Sequence, residues 1–213
     1  RVTPGMDMAE LPNVRAIGPV AEPGRRRRAE LEAAFAPART VVLIAMGGME
    51  LRLPLERWPV LPDTRWLVPP QWGVRRADVA GWDAAGMPFS DLLASCDAVL
   101  TKPGYGTFVE AACAGVPVLY VSRRDWPEEP ALVAWLAKNG RCVEVARAAA
   151  EAGNLAGALQ RVRQMPVPPC PQPGGGQEAA DFLACLLESG RAPLQRLPHQ
   201  RAAGEHQQHA DEP

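Results

Sequence analysis

The chain has 213 residues, a formal net charge of −1 and 47% hydrophobic residues. This length suits one globular domain with a substantial core, and the near-neutral charge gives no basic field that would favour nucleic acid or an anionic membrane. No apolar stretch approaches the roughly 20 residues that a membrane-spanning helix needs, so no transmembrane segment is predicted.

The cysteines and histidines exclude further classes of site. The five cysteines form no CxxC pair, and their odd number fits no closed set of disulfides, which favours a reducing, cytoplasmic compartment. All three histidines (His199, His206 and His209) lie in the last fifteen residues, within a polar segment, 190–213, that is predicted to be a disordered tail. A Ser-His-Asp triad is therefore excluded, and any acid or base in the folded part has to be a carboxylate, Lys, Tyr or Cys.

The predicted elements alternate between helices and strands. Residues 1–24 are rich in Pro and Gly and predict a linker with an entry strand at Val14–Gly18, before a helix at about Arg26–Phe35. The apolar run Thr40–Met46, which Gly47–Gly48 ends, is typical of a strand buried on both faces of a parallel sheet. The rest of the pattern predicts strands at Arg65–Val68, Asp97–Thr101, Pro117–Val121 and Arg141–Val145, and helices at Phe89–Cys96, Thr107–Ala114, Glu128–Asn139, Ala149–Met165 and Gln177–Glu188.

This alternation predicts an α/β fold with a doubly wound, Rossmann-like parallel sheet, covered by helices on both faces. We expect residues 25–189 to form that domain, between the linker and the tail. In such sheets ligands bind outside the carboxyl ends of the strands. The loops after Met46, Thr101 and Val121 are therefore the places to seek a function.

The most informative segment is Thr101–Glu110, TKPGYGTFVE, which follows a predicted strand and opens a helix. Gly104 and Gly106 would permit positive φ angles and close backbone approach, and the helix directs its free N–H groups at the turn, which suits a phosphate. Lys102 strengthens this interpretation, because Lys138 is the one other lysine beside twenty-one arginines. Alone, Gly-x-Gly is equally compatible with a tight βα turn, and it is neither a P-loop nor the full dinucleotide fingerprint.

The wider segment, CDAVLTKPGYGTFVEAACAGVPVLYV followed by RRDWPEEPAL, resembles the donor-binding domain of GT-B glycosyltransferases. It is especially similar to relatives of the peptidoglycan enzyme that transfers N-acetylglucosamine to a lipid (glycosyltransferase family 28), and it also resembles glycosyltransferase-like domains of some sugar kinases. The family pattern is an aspartate-led strand, a Gly-rich turn, Thr-x-x-Glu on the helix and Gly-x-Pro before the next strand. The matching residues here are Asp97, Gly104, Thr107, Glu110, Gly115 and Pro117, and weaker likeness extends the match to about residues 11–189.

The resemblance implies one half of a GT-B fold that binds a nucleotide-sugar donor, with UDP as the expected nucleotide. Glu110 would accept hydrogen bonds from the ribose hydroxyls, and Glu128 or Glu129 would contact the sugar. No metal or cofactor is implied, because helix N-termini and basic groups would neutralise the leaving diphosphate. The two Gly-rich loops would supply the remaining donor contacts, which are Gly47, Gly48, Lys102, Gly104, Tyr105, Gly106 and Thr107.

These residues also have simpler explanations. Glu110 would otherwise be an exposed helix glutamate, Thr107 a plain N-terminal helix residue, and Glu128–Glu129 two solvated carboxylates favoured by the helix N-terminus. Arg123–Arg124 face either the phosphates or solvent. Met49–Glu50 departs from the family pattern, which often has a hydroxyl residue there, and a glutamate beside a diphosphate is repulsive.

Three functions are compatible with the resemblance. The first is transfer of a glycosyl group to an unknown acceptor, with the acceptor site and general base supplied by a missing N-terminal domain, so that this chain alone binds nucleotide without turnover. The second is a non-catalytic nucleotide-sugar-binding or regulatory module. The third is a nucleotide-sugar epimerase or hydrolase of the same fold, which would need further acid–base groups around the donor.

Overall fold

The computed structural model describes residues 1–47, 51–123 and 125–188. It divides into two compact units, Arg1–Ala179 and Ala180–Pro213, and the described part of the second is the end of the last helix. The helices are α1 (Arg28–Phe35), α2 (Phe89–Ser95), α3 (Tyr105–Ala114), α4 (Glu129–Asn139), α5 (Arg147–Ala152), α6 (Ala156–Gln164) and α7 (Gly175–Glu188). The strands are β1 (Thr40–Ala45), β2 (Thr64–Val68), β3 (Val79–Gly81), β4 (Ala98–Thr101), β5 (Val118–Tyr120) and β6 (Cys142–Glu144).

The six strands form one sheet in which every neighbouring pair is parallel, in the order β3-β2-β1-β4-β5-β6. This order confirms the predicted doubly wound, Rossmann-like fold. The chain runs from β1 outward to β3 on one side, and then returns to start β4 on the other side of β1. The switch point of the sheet therefore lies between the carboxyl ends of β1 and β4, where a crevice for a ligand is expected.

Side chains of the central strands alternate between two buried clusters, one on each face of the sheet. Val42, Ile44 and Leu100 point into the cluster that α5 and α6 cover, whereas Val41 and Leu43 point into the cluster that α1–α4 cover. Successive residues of a strand point to opposite faces, so a continuous apolar run is what a sheet covered on both faces requires.

The structure differs from the prediction in two predicted elements and in one that was not predicted. The sheet has a sixth strand, β3, which was not predicted because its three residues carry no apolar run. The single helix expected at Ala149–Met165 is two helices, because Gly153 adopts a left-handed φ of +71° and packs against the Trp58 side chain. Val14–Gly18 is irregular backbone, so the predicted entry strand is wrong. The predicted tail, residues 190–213, lies outside the described residues.

The N-terminal segment packs against the starts of two helices. The Tyr105 hydroxyl, at the first residue of α3, accepts a hydrogen bond from Val20 N (2.8 Å) and donates one to Thr3 O (3.2 Å). At the start of α7, Gly175 N donates to Pro19 O at 2.9 Å, and Glu178 Oε2 accepts from Gly18 N at 2.9 Å. A methyl group at Gly175 would lie 2.1 Å from Gly18 O, so glycine is required for this approach.

Candidate functional site

Thr101 joins the two strand ends at the switch point. It ends β4 with only 1% of its surface exposed, and its hydroxyl donates to Ala45 O at the end of β1 over 2.6 Å. This hydrogen bond holds the start of the loop after β1 beside the start of the loop after β4. Gly47 then turns with a left-handed φ of +61°, and a methyl group there would lie 3.4 Å from the Lys102 Nζ atom. The Lys102 ammonium therefore lies at the switch point.

Lys102 is partly buried and has no acidic partner in an ion pair among the described residues. Burial, and then the nearby positive charge of Arg123, lower the pKa of Lys102 below its ordinary value. Both causes disfavour the charged ammonium in the ligand-free protein. An anionic ligand would offset both, because it brings negative charge into the cleft that the two cations line.

The first turn of α3 presents backbone donors beside Lys102. Gly104 precedes the helix and contributes no side-chain cap, and by helix geometry the N–H groups of Tyr105, Gly106 and Thr107 have no intrahelical acceptor. A methyl group at Gly104 would lie 3.7 Å from Lys102 Nζ, so the cation and the helix start are adjacent. An ammonium beside a helix N-terminus is a favourable arrangement for a phosphate.

The two glycines of this turn do not use the positive φ angles that glycine permits. Gly104 has an extended φ of −167°, and Gly106 lies inside α3. The space where a side chain of Gly106 would lie is open. What these glycines provide is a bare backbone that a ligand can approach closely.

The turn after β5 is held by Glu129, the first residue of α4. Its carboxylate accepts hydrogen bonds from the Ser122 hydroxyl at 2.5 Å and from the Arg123 backbone N–H at 2.6 Å. The Arg123 guanidinium carbon lies 4.2 Å from the centre of the Trp126 ring. Glu129 was predicted to contact a sugar, but in the structure both of its carboxylate oxygens accept hydrogen bonds from this turn.

A cleft of about 590 Å³ opens at this edge of the sheet. It lies beyond the carboxyl ends of β4, β5 and β6, as expected for a ligand site in a doubly wound sheet. Lys102 and Arg123 lie on its wall, and neither Glu110 nor Glu128 is among its lining residues. These are Leu51, Lys102, Val121, Ser122, Arg123, Asp125, Glu144, Val145, Ala146 and Arg147.

Glu110 is half-buried in the second turn of α3, and burial raises its pKa. Neither Glu110 nor Glu128 forms a side-chain hydrogen bond or ion pair within the described ranges. A half-buried carboxylate without donors is unfavourable in the ligand-free protein, and ligand hydroxyls would supply those donors. Tyr105 is already engaged through its hydroxyl, and Gly48 lies outside the described residues.

Sequence reasoning missed the part of the cleft that follows β6. Glu144, Ala146 and Arg147 line it, and Arg147 forms an ion pair with Glu151 at 3.0 Å. The rule that ligands lie beyond the strand ends, applied to the predicted fifth strand, would have found these residues. In the described ranges, no group of three or more His, Cys, Asp or Glu residues is placed to hold a metal ion. Nor is any helix there long and apolar enough to span a membrane.

The fold and the cleft define a Rossmann-like domain with one cation, Lys102, at its switch point and a second, Arg123, on the loop after β5. No protein-family model matches the sequence, and no curated protein matches it. Among solved structures, the glycosyltransferase VinC in complex with DTDP aligns with a TM-score of 0.53 and 20% identity, covering 84% of this chain and 49% of VinC. The glycotransferase of kitacinnamycin (TM-score 0.49, 21% identity, 84% and 51% covered) and SnogD from Streptomyces nogalater (0.44, 22%, 82% and 51%) also match.

The alignment with VinC shows that this chain has the fold of one half of a GT-B glycosyltransferase. The chain spans about half the length of each of these structures. The narrower resemblances, to glycosyltransferase family 28 and to domains of some sugar kinases, stay predictions.

Proposed function

We propose that this chain is the nucleotide-sugar-binding half of a glycosyltransferase, and that the donor diphosphate binds at the switch point. The observation that carries this proposal is the Lys102 ammonium. It is partly buried beside Gly47 and the start of α3, with Arg123 as a second cation and without an acidic partner among the described residues. The likeness to half of VinC, whose structure holds DTDP, supports a nucleoside diphosphate as the ligand.

In this proposal, Lys102 and the N–H groups of Gly106 and Thr107 hold a phosphate. Gly47, in the loop after β1, lets the phosphate come close to the backbone of that loop. Glu110 accepts hydrogen bonds from the ribose hydroxyls, which would satisfy its unpaired carboxylate. Glu128 is the candidate for the sugar contact, because the oxygens of Glu129 are engaged by the turn. The acceptor site and the general base would come from residues outside this chain.

Lys102→Gln tests the proposal, with Lys138→Gln as a matched control. Lys138 lies near the end of α4 and is exposed, so the control removes the same charge away from the cleft. Calorimetric titration with UDP and with dTDP should show an affinity about 10- to 150-fold lower for Lys102→Gln, the usual effect of losing a charged hydrogen bond. Lys138→Gln should bind like the parent chain.

Two outcomes would contradict the proposal. One is that the folded parent chain binds neither UDP nor dTDP. The other is that both lysine variants bind as tightly as the parent, which would place the nucleotide away from the switch point. Circular dichroism on each variant shows whether a lost affinity reflects a lost fold.

A further inference from the structure

We propose that Arg123 holds the second phosphate group of the donor, so that the cleft selects a nucleoside diphosphate over a nucleoside monophosphate. This inference rests on the proposed function and assigns to it a specificity-determining residue. The Gly-rich turn and Lys102 alone account for one phosphate group. The neighbouring loop, after β5, supplies the second cation.

Arg123 and Lys102 are two positive charges on the wall of one cleft, close enough for Arg123 to depress ionisation of the lysine. Asp125 and Glu144 line the same cleft, yet neither forms an ion pair with Lys102 or Arg123 in the described part of the chain. Two cations on the wall of one cleft, with no carboxylate of the described residues paired to either of them, repel each other. A ligand that offers negative charge to each of them removes that repulsion.

The two cations follow neighbouring strands of the sheet. Lys102 comes directly after β4, beside the switch point, and Arg123 comes three residues after the end of β5. β4 and β5 are neighbours in the sheet, so the loops that carry the two cations lie side by side along its edge. Lys102 and the start of α3 take the first phosphate group, and Arg123 takes the next one.

The Arg123 side chain is also positioned before a ligand arrives. Its backbone N–H is bound by the Glu129 carboxylate, and its guanidinium stacks on Trp126, with 4.2 Å from its carbon to the ring centre. These contacts restrict the backbone and the side chain of a residue that would otherwise be flexible. Trp126 and Glu129 are therefore positioning residues for the second phosphate.

The test compares Arg123→Gln with the parent chain by calorimetry, using UDP against UMP and dTDP against dTMP. Arg123→Gln should weaken diphosphate binding about 10- to 100-fold and change monophosphate binding by less than about 3-fold. Trp126→Ala, which keeps the guanidinium but removes its support, should give a smaller loss in the same direction. Arg147→Gln is the matched control: Arg147 lines the same cleft but is paired with Glu151, so the preference for diphosphate should persist.

The outcomes separate this inference from the proposed function. If the parent chain binds UDP or dTDP, and Arg123→Gln weakens diphosphate and monophosphate equally or weakens neither, the inference is wrong and the donor site stands. If Arg147→Gln removes the preference for diphosphate as strongly as Arg123→Gln, the preference comes from the overall positive charge of the cleft and not from a contact between Arg123 and a phosphate. That result also overturns the inference. If the folded parent binds no nucleotide, both proposals fall together.

Discussion

Lys102 and Glu110 are charged groups that the folded chain keeps partly buried without an oppositely charged partner among the described residues. Burial lowers the pKa of the lysine and raises that of the glutamate, so both shifts favour the neutral forms. Each group therefore costs stability in the ligand-free protein at neutral pH. Groups of this kind cluster at functional sites, since a ligand can supply the interactions that the fold does not.

Glu110→Gln is expected to raise the melting temperature at pH 7 and to weaken nucleotide binding. Since burial raises the pKa of Glu110 in the folded state, the destabilisation by its ionised form is present above that pKa. It disappears as the pH falls through the folded-state pKa towards that of the unfolded chain, so the gain should shrink between neutral and acidic pH. Calorimetry with UDP should show a loss of about 1–3 kcal/mol in binding free energy.

Glu22→Gln serves as the control for Glu110, because it removes one negative charge at an exposed position of the N-terminal segment. It should change neither the affinity for UDP nor the melting temperature at pH 7. A Glu110→Gln chain that melts at a lower temperature at pH 7 and binds UDP normally would show that the carboxylate has a structural role instead.

The start of α7 depends on a glycine. Gly175 lets the helix start approach Gly18, and a methyl group there would overlap the Gly18 carbonyl oxygen at 2.1 Å. Gly175→Ala should therefore destabilise the chain by about 1–3 kcal/mol, because such overpacking forces the backbone apart. In a chain of this length that lowers the melting temperature by about 2–4 °C for each kcal/mol.

Gly176→Ala is the matched control in the next position of the same helix. No atom lies within 4 Å of the place where its methyl group would be, and alanine is the better helix former. Thermal unfolding should show an unchanged or slightly higher melting temperature for this variant. Equal destabilisation by both substitutions would mean that the packing of Gly175 against Gly18 is not the cause.

Sequence patterns predicted the elements whose determinants are local. β1 was recognisable because its six residues form an apolar run, and the helix start after β4 because a Gly-rich turn precedes it. β3 was not, since its place depends on pairing with β2. The break between α5 and α6 depends on Trp58, about a hundred residues earlier in the chain, whose side chain Gly153 contacts.

The residues of the candidate site also fall into those that local sequence predicts and those whose position depends on contacts with distant parts of the chain. Lys102 was predicted from its rarity and its position in a turn, both of which the sequence displays. For Arg123 the sequence left two positions open, towards the phosphates or towards solvent, because the choice depends on three contacts: Glu129 binds its backbone, Trp126 supports its guanidinium, and it lines the same cleft as Lys102. Contacts of this kind arise only when the strand ends come together.

At the scale of the whole molecule, the chain corresponds to half the length of the structures it resembles. If the proposed division of roles holds, this chain binds a nucleotide sugar and does not consume it. Incubation with a panel of UDP- and dTDP-sugars should release no nucleoside diphosphate above the level without protein, as measured by chromatography. Release that Lys102→Gln abolishes would instead support the hydrolase alternative.

The lysine that the proposed function singles out, Lys102, is also a target for covalent labelling with amine-reactive reagents. Amine-reactive reagents attack the neutral amine, and a lysine whose pKa is lowered holds more of that form near neutral pH. The sequence offers two side-chain amines, and burial lowers the pKa of Lys102. A bound diphosphate would protect Lys102 from a fluorophore ester, so the labelling rate at Lys102 itself would report occupancy of the cleft without an engineered tag.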